Sequence, residues 1–228
     1  MDALLDLLNT TLLELLGTPV TVVEAFAFVT GALCVWAVSR QWIWNWPVGI
    51  LNAAAFVVLF LGAGLYADAS LQFVFIVLGV VGWVGWTRRR RNGADEKTPL
   101  PVRRVRPAEA ALGVGAVVGG TAAVALLLTT HTDSTVPWPD AFVLAASLVA
   151  TALQTRKIFE HWWVWIAVDV VSIPLYLVKG LWLTAILYAG FLALCVSGLV
   201  AWRRDLPARP AQPTPPHPVE AAPVAERA

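Results

Sequence analysis

Charge is scarce in this sequence: Asp, Glu, Lys and Arg make up 14% of it, against 58% apolar residues. A soluble domain carries about a quarter charged residues. With a mean hydropathy of +0.71, the composition excludes an ordinary soluble globule and points to a bilayer protein. Cysteine is scarce too. Cys34 and Cys195 both fall inside apolar runs, where a free thiol behaves as a small hydrophobe, so neither a disulfide scaffold nor a zinc framework is supported. Histidines do not converge: His131 and His161 fall at opposite membrane faces, and His217 sits in a Pro-rich tail. There is no HExxH, no nucleophile elbow and no Walker motif. Intramembrane catalysis and ATP hydrolysis by this chain are thereby disfavoured, and no cofactor or metal is implied. No Lys or Arg precedes Arg40, so the N-terminus lacks the basic region of a cleaved signal peptide.

Long apolar runs are what the sequence does have. Spanning a bilayer takes about 20 mainly apolar helical residues, and runs of that kind lie near 20–38, 46–64, 67–87, 108–128, 138–155, 162–179 and 182–202. The fold class is therefore an all-α membrane protein with seven transmembrane helices. Residues 1–18 carry leucines at helical spacing with acids between them, which predicts a short interfacial helix. The transporter-like body covers 20–204, and 205–228 forms a disordered Pro/Ala-rich cytoplasmic tail.

Basic residues set the direction. Arg40, the Arg88–Arg91 run with Lys97, Arg103, Arg104 and Arg106, the Arg156–Lys157 pair, and Arg203–Arg204 fall at alternate turns, with Lys179 the exception. This predicts an outside N-terminus and a cytoplasmic C-terminus. It also reads the four-arginine run as a cytoplasmic anchor and not as a nucleic-acid site.

Sliding the chain against itself by about 116 residues reveals a repeat. Arg40 meets Arg156, Trp46 meets Trp162, Phe75 meets Phe191, Gly82 meets Gly198, Trp86 meets Trp202, and Arg88 meets Arg204. Apolar composition aligns Leu with Leu; it does not align Gly, Trp and Arg in register. Two parallel three-helix repeats follow, about 20–88 and 136–204. They are joined by a linker and fourth helix, 89–128, in a 3+1+3 plan. Transporters commonly place substrate between such halves near the midplane. A membrane scaffold or sensor gives no reason for polar residues inside both repeats.

From Trp162, helical spacing puts Trp162, Trp165, Asp169, Ser172 and Tyr176 on one face, opposite Val164, Val168, Val171 and Leu175. The first unit offers Asn45, Trp46, Asn52 and Phe56. The third spans add Tyr66, Asp68 and Gln72 in one unit and Thr184 and Tyr188 in the other. Trp42, Trp83, Trp86, Trp138 and Trp202 read as interfacial anchors; for Trp162, Trp163 and Trp165 anchoring and ligand stacking are both open. Glu24 and Asp140 fall near the interface. Asp169 stands apart, because a mid-membrane charge costs roughly 2.5–3.5 kcal/mol on insertion scales and usually faces a pathway or partner. Lys179 is no partner for it, since ten helical residues separate them by about 15 Å. Aromatic faces with a carboxylate suit a flat organic cation. The candidate substrate-binding set is Trp46, Asn52, Gln72, Trp162, Trp165, Asp169, Tyr176 and Tyr188.

The stretches NWPVGILN at 45–52, LYADASLQ at 65–72 with GWVGW closing the unit, and TRKIFEHWWVWIAVDVVS at 155–172 followed by KGLWLTAILY resemble the PnuC-type vitamin transporters. The likeness covers about 20–204. It implies a fold related to the SWEET sugar transporters, a homotrimer in the cell membrane, and uptake of nicotinamide riboside by facilitated diffusion. It also implies a functional link to a cytoplasmic vitamin kinase that traps the substrate. The family typically carries Asn after the WxxW pair of the sixth span; here that position is Asp169. Relatives in the family carry thiamine, riboflavin or deoxynucleosides, and a proton-coupled carrier acting through Asp169 is the mechanistic rival.

Overall fold

A computed structural model describes residues 10–15, 18–62, 66–92, 101–132, 135–180 and 182–207. Among these the chain forms α1 (Val22–Ser39), α2 (Asn45–Gly62), α3 (Tyr66–Asn92), α4 (Pro107–His131), α5 (Pro137–Thr155), α6 (His161–Val178) and α7 (Trp182–Arg204). Each helix lies on one of the expected spans. Among the described residues four stretches are long and apolar enough to cross a membrane, within α3, α4, α6 and α7. α1 and α2 are each 18 residues long and as apolar as α6, and α5 is diluted by Asp140, Ser147, Thr151 and Gln154.

The predicted interfacial helix over 1–18 is not what the described part of that segment forms. Thr11–Leu15 (β1) and Thr18–Thr21 (β2) pair antiparallel, with an irregularity between Thr11 and Leu13. Thr10, Thr11, Thr18, Val20 and Thr21 explain this, because β-branched side chains favour strand over helix. Leucine periodicity lost to local propensity. Val22 then donates its N–H to the Thr10 carbonyl at 3.0 Å, tying the hairpin to the start of α1.

Helix packing closes a ring. α1 packs on α2, α2 on α3, α3 on α5, α5 on α6, α6 on α7, and α7 returns to α1. Exchanging α1–α3 for α5–α7 leaves that order of neighbours unchanged. α4 stands outside the ring and packs chiefly on α5; of its side chains, Ala125 is the one fully buried. Its start is held by Pro107 in the first turn and by Glu109, whose carboxylate accepts the Arg106 N–H at 3.1 Å.

Tryptophans fill the end of the ring near the α1–α2 and α5–α6 turns. Trp46 meets Trp86 edge-on with centroids 5.4 Å apart, and the equivalent Trp162 meets Trp202 edge-on at 5.8 Å. Each ring of the first pair position is seated against a glycine. A Cβ on Gly82 would lie 2.3 Å from the Trp46 ring, and one on Gly198 would lie 2.3 Å from the Trp162 ring. Trp86 and Trp202 are buried to 1% and 0% exposure, so the expectation that they anchor at the lipid interface is wrong. Position near a helix end does not reveal radial direction, and these two point inward. Trp42, Trp83 and Trp138 are exposed, as an interfacial anchor requires. Lys179, the exception in the charge pattern, pairs with Asp140 at 3.0 Å between the C-terminal end of α6 and the first turn of α5. Its charge is thus met locally.

Candidate functional site

Inside the ring lies a cavity of about 330 Å³ lined by α1, α2, α3, α5, α6 and α7, with no contribution from α4 among the described residues. Seven of the eight sequence candidates face it: Trp46, Asn52, Gln72, Trp162, Trp165, Asp169 and Tyr188. Tyr176 does not line it. Instead its ring stacks on Tyr188, centroids 5.0 Å apart, and Tyr188 in turn meets Phe191 edge-on at 5.7 Å. Tyr176 therefore supports a wall from behind. The side chains of Tyr66, Asp68 and Glu24 lie outside the described residues.

The three crowded tryptophans separate by direction. Trp162 is buried and Trp165 half-buried at the cavity, whereas Trp163 is 57% exposed on the outer face of α6. Helical geometry requires such a division, since adjacent residues point about 100° apart. Val168 and Leu175, read from the sequence as the face opposite the polar stripe, are also buried. The outward stripe runs instead through Trp163, Val170 and Leu177.

Asp169 sits halfway along α6 at 3% exposure. One carboxylate oxygen is met by the Cys195 thiol, and Oδ2 has no partner within the protein. No other acidic or basic side chain appears among the described residues lining the cavity. Its counterpart 116 positions earlier is Ala53, also at the cavity wall. The site thus has a carboxylate on one half and a methyl group on the other.

A polar arc faces this acid. Asn52 donates its amide to the Thr30 hydroxyl, which donates to the Phe26 carbonyl. Gln154 donates to Asn45 Oδ1 at 3.4 Å across the two halves. Ser147 and Thr151 also line the wall. Sequence reading passed over Thr30, Ser147, Thr151 and Gln154. A signal existed for the last three, which recur at helical spacing (i, i+4, i+7) on an otherwise apolar span. Cys34 and Cys195, read as core hydrophobes, both reach the cavity as well.

A bilayer-type helical ring enclosing an aromatic and polar cavity, with Asp169 the one acid among its described lining residues, is the arrangement of a membrane transporter of small organic molecules. Residues 21–204 match the nicotinamide mononucleotide transporter family, and the chain belongs to it. It is 34% identical over 171 residues to the riboflavin/roseoflavin transporter RibM of Streptomyces davaonensis, covering 73% of this chain and 79% of that one. To the nicotinamide riboside transporter PnuC of Escherichia coli it is 26% identical over 207 residues, covering 82% and 87%. The crystal structure of the vitamin B3 transporter PnuC superposes with a TM-score of 0.63 at 26% identity, covering 80% of each chain.

Proposed function

We propose that this chain takes up nicotinamide riboside across the cell membrane by facilitated diffusion. The observation that carries the reading is Asp169: a buried carboxylate whose Oδ2 has no protein partner, set among Trp162, Trp165 and Tyr188 at a cavity. A pyridinium cation supplies what that oxygen lacks. An ion pair in a low-dielectric setting offsets the cost of burying the acid, and ring stacking adds about 0.5–1.5 kcal/mol per pair. The polar arc of Asn52, Thr30, Ser147, Thr151 and Gln154 gives a ribose its hydrogen-bond partners.

Alternating access follows from a 3+1+3 plan of two parallel repeats. The exchange symmetry of the ring, the matched tryptophan–glycine seats and the position of α4 outside the ring all support that plan. An outside N-terminus and a cytoplasmic C-terminus follow from the basic turns. Assembly as a homotrimer and trapping by a cytoplasmic kinase are proposed on family resemblance. Passive carriage is favoured over proton coupling because, among the described residues lining the cavity, Asp169 has no second acid to relay a proton to.

Riboflavin is the second reading, favoured by the likeness to RibM. A cavity near the lower end of the ligand-pocket range, about 300–1,000 Å³, favours the smaller vitamin, which carries one aromatic ring. Purified protein in sealed, kinase-free liposomes tests both. Nicotinamide riboside should equilibrate without accumulating under any imposed pH gradient, and riboflavin should compete weakly. Saturable riboflavin flux with no nicotinamide riboside flux would reverse the assignment, and accumulation driven by a pH gradient would reject the passive mechanism.

A further inference from the structure

The two halves also meet at a pair of equivalent residues. Gln41 and Lys157 are 116 positions apart, in the α1–α2 and α5–α6 turns, and both hold a left-handed backbone, with φ of 57° and 52°. The Lys157 ammonium donates to Gln41 Oε1. It lies 4.4 Å from the centroid of Trp86 and 5.7 Å from that of Trp202, which are themselves equivalent residues. Lys157 is 1% exposed, an unusual state for a lysine. Gln41 passes the contact on, donating to Asp205 at 2.6 Å just beyond α7.

A strap covers this contact. Residues 101–106 cross the α5–α6 turn, where Arg103 donates its N–H to the Lys157 carbonyl at 3.1 Å and accepts the Phe159 N–H at 2.9 Å. Val102 is 1% exposed and joins the tryptophan cluster. Val105 donates to Glu160 at 2.8 Å, and Arg103 grips Glu109 through two hydrogen bonds of 2.7 and 2.8 Å. Directly beyond the cluster lies the cavity, bounded at this end by Trp46, Trp162, Asn45 and Gln154.

We infer that Lys157 closes a gate at this end of the pathway, locking its own half to the other through Gln41 and Trp86. The inference rests on the reading of the ring as a transport path. Halves that rock apart at this end must separate Lys157 from Gln41, because each belongs to a different half. The cation gives the closed state a lock that a ring of tryptophans alone lacks, since the ammonium can face the two equivalent indoles at once. The strap adds backbone pairing that holds the Lys157 turn in place.

The chain's two cysteines, Cys34 and Cys195, both line the cavity, so a charged, membrane-impermeant methanethiosulfonate reports opening without engineering. The full-length protein in vesicles is exposed to the reagent from one side at a time. Wild type should react slowly from the side that bears Lys157. Lys157→Met should speed reaction from that side alone, about five- to tenfold, and Lys157→Arg should stay near wild type. Gln41→Asn, which tolerates the left-handed backbone but is too short to reach the ammonium, should also speed it, and it carries the test if Lys157→Met does not fold. Equal rates in wild type, Lys157→Met and Gln41→Asn from both sides would overturn the gate. Uptake of nicotinamide riboside by wild type in the same vesicles tests the transport reading separately, and acceleration from the opposite membrane face would correct the orientation while keeping the gate.

Discussion

Asp169 stands where the first half of the molecule has Ala53, and both line the same cavity. A pathway built from two equivalent halves is thereby made electrically one-sided. The helix that bears the acid, α6, also brings Trp162 and Trp165 to the cavity, while Trp46 and Tyr188 reach it from α2 and α7.

Removing that charge should discriminate between ligands. Asp169→Asn keeps the shape and should weaken binding of nicotinamide riboside while sparing a neutral isostere, because only the charge contribution is lost. Competition binding with the two compounds measures it. An equal loss for both would assign Asp169 to packing or hydrogen bonding instead of charge.

The separation of the tryptophans makes a second test. Trp165→Ala should cost about 1–3 kcal/mol of ligand affinity if the ring stacks on a ligand ring. Trp163→Ala, on the outer face of α6, should leave affinity unchanged. Titration calorimetry on the purified protein compares them directly, and matching affinities in both variants would make Trp165 an anchor.

Glycine seats predict a third result. Gly198→Ala and Gly82→Ala drive a methyl group to 2.3 Å from a buried indole, an overpacking that costs about 1–3 kcal/mol. Gly190→Ala meets nothing within 4 Å and should be neutral or slightly stabilising, as Ala is the better helix former. Thermal unfolding in detergent would show lowered midpoints for the first two. A midpoint for Gly198→Ala equal to that of Gly190→Ala would mean the Trp162 ring moves aside freely.

Orientation is tested by labelling. Single cysteines at Asp2 and Ala228, in a background with Cys34 and Cys195 replaced, should react from opposite sides of the membrane. Reaction of both from one side would require an even number of crossings.

Much of this architecture was legible because bilayer constraints are one-dimensional. Span length and register between repeats are both read along the chain, and the helices fall where those signals put them. Direction around a helix axis was harder to read. The stripe from Trp162 to Ser172 was recovered because a carboxylate marks which side faces inward, and apolar positions such as Val168 carry no such mark. Trp86 and Trp202 look like anchors until the glycines opposite Trp46 and Trp162 are seen to draw all four indoles into one cluster. Thr30 was invisible for another reason. A hydroxyl that donates back to its own helix is ordinary in an apolar span, and only the approach of Asn52 gives it a role.

The placement of α4 has a consequence for how the chain can be divided. The helices of the two halves pack at two seams, α3 with α5 and α7 with α1, and meet again where Lys157 contacts Gln41 and Gln154 contacts Asn45; no covalent connection crosses any of these. The only peptide link between them runs through the segment after α3 and through α4, outside the ring. A break in 93–100 would leave each fragment with three complete ring helices and both of its seam surfaces. Two separately made polypeptides therefore retain every interface needed to reassemble a working pathway, and natural fission into two genes would require no new contact.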